Sequence, residues 1–321
     1  MGRADLKADD DRGLMALGAG SPPGTLKIFR GSLEGSKVVS GREVLAGADG
    51  STSGQRAQEW AAQRAVDLAL RLHLVRAVPE PGYFRVPSEY RQAATQAEGL
   101  LDAESRRIAA LHPGLEIVTS CRAGETVAVL LVLSQAAEAV VLGSDRRPDR
   151  RGEGFGSISF QAAVLCRSPV VVVPDVDPAV PTADSVGVLV GVDGSQESEL
   201  ALKAAGEEAL RTGAVLTVLH AVAGGDLSGR AFPGDAGRTH QADPEELLSA
   251  AVRRVTTSCP GLEVHQALKT GVLPADALIR AAMHAKLLVI GCRGRGGLRK
   301  PVGSIAEKVL LELPCPTMIA R

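Results

Sequence analysis

One block of this chain occurs twice. Val44-Leu-Ala-Gly-Ala-Asp49-Gly50-Ser51 returns 144 residues later as Val188-Leu-Val-Gly-Val-Asp193-Gly194-Ser195. Three further landmarks repeat at nearly the same distance. Val140-Val-Leu-Gly143 matches Val289-Ile-Gly291 with an offset of 148, Gly156-Ser157 matches Gly303-Ser304 with 147, and Ser-Pro169-Val-Val-Val matches Cys-Pro316-Thr-Met-Ile with 147. Four landmarks at almost one spacing indicate a tandem duplication of a unit of about 135 residues. The units span 42–176 and 186–321. The Pro-rich stretch 177–185 reads as the linker, and residues 1–41, rich in Gly, Asp and Ser, as a disordered or irregular extension.

Within each unit the patterning alternates. Val186–Val192 is a near-continuous apolar run, as expected of a strand buried on both faces of a parallel sheet. Glu197–Arg211 has helical spacing, and Ala214–Val222 reads as a second strand. A helix is expected over Pro244–Ser258, with Asp243 as N-cap and proline at the first position. The order then runs strand Leu262–Leu268, helix Ala275–Ala285, strand Leu287–Ile290, helix Ser304–Leu313 and strand Thr317–Ala320. This alternation predicts an α/β fold with a doubly wound parallel sheet in each unit. Aromatic residues make up 2% of the chain, so its cores must be built from Ala, Val and Leu.

Charge and cysteine usage narrow the function classes. The net charge of −1 supports neither a nucleic-acid nor a membrane-surface partner. The five cysteines are scattered with no CxxC pair, which argues against zinc ligation and a disulfide framework. Val127–Leu142, the most apolar window, is too short for a membrane span and reads as a helix running into a strand. A cytoplasmic location is the expectation.

Two places carry chemistry. The first is the turn Asp193-Gly194-Ser195, where the first strand of the unit ends. Ligands of open α/β sheets sit outside the carboxyl ends of the strands, and an Asp there can accept hydrogen bonds from a sugar or an amino group. Taken alone, Asp-Gly-Ser is also ordinary turn chemistry. The second is Gly291, Gly294 and Gly303-Ser304, at the end of the fourth strand and the start of the fourth helix. Glycines let backbone N–H groups approach an anion, and a helix N-terminus favours negative charge. Close approach to sugar and phosphate is the expected job of Gly291 and Gly294. Arg293, Arg295, Arg299 and Lys300 make the loop between these glycines basic.

This pair of motifs, in this order and at this separation, resembles the universal stress protein family, over residues 42–321, as a tandem two-domain member. The resemblance implies a five-stranded parallel sheet of order 3-2-1-4-5 in each domain. It also implies ATP or a related adenine nucleotide, alone or with Mg, across the strand ends. By the resemblance, the nucleotide would lie against Asp193, the backbone at Ala221, and Gly291, Gly294, Gly303 and Ser304. In the first unit the matching positions are Asp49, Ala77, Gly143, Gly156 and Ser157. Both copies depart from the family's Gly-x2-Gly-x9-Gly-Ser/Thr motif. In the first, Arg146 stands where the second glycine belongs. In the second, the spacer from Arg295 to Val302 is one residue short. The second copy is therefore the expected better site, and the first the eroded one.

The functional expectation is an adenine-nucleotide-binding regulatory protein of the stress response that acts on an unidentified protein partner. No catalytic residue or metal site is assigned. Slow ATP hydrolysis is a lesser reading, and a scaffold of the same fold working through protein contacts is the alternative. The closing strands, Val170–Pro174 and Thr317–Arg321, are expected to pair across a pseudo-two-fold between the units, as an internal pseudo-dimer, with a homodimer of chains as a further level.

Overall fold

The computed structural model describes residues 42–144, 158–175, 186–223, 243–294 and 302–321. The N-terminal stretch 1–41, the linker 177–185, Gly156, Ser157, Arg146, Arg295, Arg299 and Lys300 lie outside the described residues. In the first half the chain runs β1 (Glu43–Gly47), α1 (Thr52–Asp67), β2 (Arg71–Val78), α2 (Pro87–Leu111), β3 (Ile117–Ala123), α3 (Thr126–Ser134), β4 (Ala137–Gly143), α4 (Ile158–Leu165) and β5 (Val170–Val173). The second half repeats this as β6 (Val186–Gly191), α5 (Gln196–Thr212), β7 (Leu216–Val222), α6 (Pro244–Ser258), β8 (Val264–Thr270), α7 (Pro274–Ala282), β9 (Ala285–Gly291), α8 (Ser304–Glu312) and β10 (Thr317–Ala320).

The strands form one ten-stranded sheet of order β3-β2-β1-β4-β5-β10-β9-β6-β7-β8. Counted within its own half, each set of five follows 3-2-1-4-5. Each half is parallel throughout, and the antiparallel pair is the seam, where Thr317, Met318 and Ile319 of β10 face Val172, Val171 and Val170 of β5. The two closing strands thus pair as the repeat suggests.

Period-two alternation sends side chains to two cores. Val44, Ala46 and Ala48 enter the layer under α1, α2, α5 and α6, while Leu45 enters the layer under α3, α4, α7 and α8. The largest fully buried side chains are Leu, Ile and Met, in keeping with the aromatic-poor composition. Small residues let the helices sit close. A Cβ on Gly206 of α5 would lie 2.6 Å from Val255 of α6. Asp243 caps α6 as its spacing suggests, accepting the Glu245 N–H at 3.1 Å with Pro244 at the first helical position.

At the amino ends of the first half's strands lies a buried polar group. Glu43 Oε1 is 2.7 Å from His73 Nδ1, His73 Nε2 is 2.7 Å from Ser120 Oγ, and Arg71 Nε donates to Glu43 Oε2 at 2.8 Å. Burial works to raise the Glu43 carboxyl. The hydrogen bond and charge of His73, and then those of Arg71, outweigh it and hold the group below its ordinary value. The order Glu–His–Ser resembles a charge relay, but all three side chains are buried, and the group lies at the strand ends opposite the Asp-Gly-Ser turn. It ties β1, β2 and β3 together.

Candidate functional site

Each half reverses its strand order between its first and fourth strands, and the Asp-Gly-Ser turn sits at the carboxyl end of that point. The turn is built identically twice. Gly50 and Gly194 adopt φ of 81° and 76°, a region that favours glycine. Asp49 Oδ1 accepts the Ser51 N–H at 2.9 Å and the Ser51 hydroxyl at 2.7 Å. Asp193 Oδ1 does the same for Ser195, at 2.9 and 2.5 Å. Each serine then caps the following helix, Ser51 Oγ accepting from Gly54 and Ser195 Oγ from Ser198. The aspartate therefore braces the cap with one oxygen, and the serine is the cap itself.

The strand beside each turn offers backbone groups to the cleft. Val75 accepts the Ala48 N–H at 2.9 Å and so faces β1, whereas Val78 accepts from Gly124 and faces β3. Alternation turns the N–H and C=O of Ala77 toward the β1 side, where β1 has already ended. The same logic holds for Ala221, because Leu219 accepts from Val192 and Val222 from Gly271. The residue before each alanine closes the corner. Arg76 Nη1 donates to Ala48 O at 2.9 Å. His220 Nδ1 lies 2.7 Å from Val192 O, and since a carbonyl only accepts, that nitrogen carries the proton.

In the first half these groups line a cavity of about 270 Å³. Asp49, Ala77 and Gly143 all lie on its wall, together with Ile158 and Ser159 at the start of α4. Gly54, Arg76 and Thr126 are among the lining residues that escaped the sequence reading. A Cβ on Gly54 would sit 2.3 Å from Asp49 Oδ1, the end of a side chain, and the second half carries Ser198 at the matching place. Arg76 and Thr126 have no motif of their own and are found only once the strand and helix ends are placed.

In the second half the predicted residues also converge. The Cβ position of Gly294 is 2.5 Å from Asp193 Oδ2, and that of Gly303 is 3.3 Å from Arg293 Cα and 3.5 Å from the Gly294 nitrogen. The Gly303 N–H donates to Cys292 O at 2.9 Å, which brings the two ends of the basic loop together. Gly303 is the N-cap of α8 and has no side chain to satisfy the first N–H groups, those of Ser304 and its successors. These donors, with the helix dipole behind them, suit an anion.

Gly291 and Gly143 have a packing role that the sequence reading did not assign them. A Cβ on Gly291 would lie 2.8 Å from the Glu197 backbone, and one on Gly143 would lie 2.5 Å from the Ser53 carbonyl carbon. Both glycines let a helix start pack against the end of a strand. Gly294, by contrast, meets only the Asp193 side chain.

Sequence comparison decides the family. The universal stress protein family profile matches residues 41–174 and again 187–321. The chain belongs to the universal stress protein family. It is 32% identical over 294 residues to the universal stress protein Rv2623 of Mycobacterium tuberculosis H37Rv, covering 87% of this chain and 96% of that one. The universal stress protein Rv2005c of the same strain is 31% identical over 292 residues, covering 87% and 96%. Among solved structures, a universal stress protein from Archaeoglobus fulgidus DSM 4304 superposes with a TM-score of 0.65 at 19% identity, covering 87% of this chain and 96% of that one. This last likeness is one of fold. No helix among the described residues of this universal stress protein is long and apolar enough to cross a membrane, and no group of metal-ligating side chains occurs among them.

Proposed function

We propose that this tandem universal stress protein binds an adenine nucleotide, ATP in the first instance, at the α8 N-terminus of its second half, and that binding is its regulatory act. The observation that carries this reading is the meeting of Asp193, Gly294 and Gly303 beside an N-terminus that no side chain caps. The nucleoside would face Asp193 and the backbone edge of Ala221. The phosphates would face Ser304 and the first turn of α8, next to the basic loop. In this reading the protein binds its nucleotide without turning it over. Cytoplasmic signalling through a partner protein is the role in which such a binder would act.

The first half's cleft takes the same ligand class more weakly. It keeps Asp49 and Ala77 but has Arg146 in place of the second glycine. Equilibrium dialysis with ATP, with and without Mg, tests both parts. One strong and one weaker site are expected, with the strong one lost in Ser304→Glu and no ATP consumed over hours. Absence of saturable binding leaves a scaffold working through protein contacts. Steady phosphate release would contradict the non-catalytic reading.

A further inference from the structure

The seam between the halves holds two ion pairs with an unusual relation to the repeat. Arg64 of α1 pairs with Glu208 of α5, and Arg211 of α5 pairs with Asp67 of α1. The partners of each pair are 144 residues apart, which is the repeat distance of the Asp-Gly-Ser turn. Each residue therefore touches its own duplicate. Between two identical halves related by a two-fold axis, a residue at such a place meets itself, and any charge there meets its like. Here the signs are inverted at both positions, Arg against Glu and Asp against Arg.

The burial makes this inversion matter. The Arg64 and Glu208 side chains are 10% and 6% exposed, so a like-charged pair there would be largely desolvated, although Glu138 faces Arg64 and Arg211 also pairs with Glu208. Arg64 also lies over Trp60 at 5.7 Å and within 3.8 Å of Glu138 Oε1. The β5–β10 ladder is made of backbone hydrogen bonds, which any antiparallel edge can offer.

We propose that the α1–α5 seam is a recognition surface by which each half accepts the unlike half and rejects a second copy of itself. The partner it fits is the other half, of its own chain or exchanged from another. Charge supplies the choice and the β5–β10 edge the adhesion.

The test recreates the rejected contacts within the intact chain. Glu208→Arg with Arg211→Asp gives the second half the charges of the first, and Arg64→Glu with Asp67→Arg does the reverse. Each is made in a Glu138→Gln background, because that carboxylate also faces Arg64. Both double variants should melt about 5–10 °C below the background protein. The quadruple variant, with all four charges inverted, should return to within about 2 °C of it. Doubles that melt with the background protein, or a quadruple that melts no higher than the doubles, would overturn the proposal. Where the doubles do not fold, the quadruple decides alone: a near-background melt upholds the proposal, and failure to fold refutes it.

Discussion

The two halves share a turn and differ in what surrounds it. Asp49 and Asp193 hold Ser51 and Ser195 through the same hydrogen bonds, and both glycines of the turn have positive φ. Around that turn, Arg76 of the first half is replaced by His220, Gly54 by Ser198, and the start of α3 at Thr126 by the start of α7 at Pro274. The brace is a folding device that each half needs. The neighbours set what a cleft can hold, and they are where the halves parted. Beside Asp49, a guanidinium and the hydroxyls of Thr126 and Ser159 line the first cleft. Beside Asp193 in the second stand a close pair of glycines and an α8 start that no side chain caps.

The comparison breaks most sharply at the glycines. Gly143→Ala drives a Cβ to 2.5 Å from the Ser53 backbone, and Gly291→Ala drives one to 2.8 Å from that of Glu197. Neither helix start can yield without losing its cap. We expect each change to cost about 3 kcal/mol in urea unfolding, Gly143→Ala the more, with or without ATP. Equal stability to the parent would mean that these glycines do not serve packing. Gly294→Ala should behave otherwise, because its Cβ meets only the end of the Asp193 side chain. Titration calorimetry should show ATP affinity down at least about tenfold, while the melting temperature moves by less than about 3 °C.

A smaller contrast lies at the other end of the strands. The Glu43–Arg71–His73–Ser120 group of the first half is replaced by Gly187, Val215, Thr217 and Ala267 in the second. The folded protein holds the Glu43 carboxyl below its ordinary value of 4.5. Its contribution is therefore complete above that value and is lost as pH falls through the lowered one. Unfolding followed from neutral to acid pH should show this decline. Glu43→Gln should lower stability by about 2 kcal/mol at pH 7 and flatten the acid limb. An unchanged acid limb would remove Glu43 from the account. The smallest effect concerns Cys315, which stands where the first half has Ser168. Burial pushes its thiol up to about 12, so native protein should alkylate there far more slowly at pH 8 than unfolded protein does.

Much of the fold was legible because it depends on local pattern repeated at one spacing. The apolar run at Val186–Val192, the Asp243-Pro244 helix start and the closing strands each carry their signal within a few residues, and a parallel sheet in each half follows from their alternation. The site was legible in part. Asp193, Gly294 and Gly303 were found through spacing, and the structure brings them together. Gly143 and Gly291 were assigned to the ligand because a glycine at a strand end can serve a phosphate or a packed helix equally well. Only the positions of Ser53 and Glu197 reveal the packed helix. The Arg64–Glu208 pair could not be seen from either half alone, because it exists only where two faces meet.

The most direct test is to titrate the isotope-labelled protein with ATP and follow its backbone amides by NMR. The account predicts saturable shifts that are largest at Gly294, Ser304 and Ile305, with smaller ones at Ala221 and weaker, later ones at Ala77. Shifts confined to the first half's cleft, or none at saturating ATP, would contradict it.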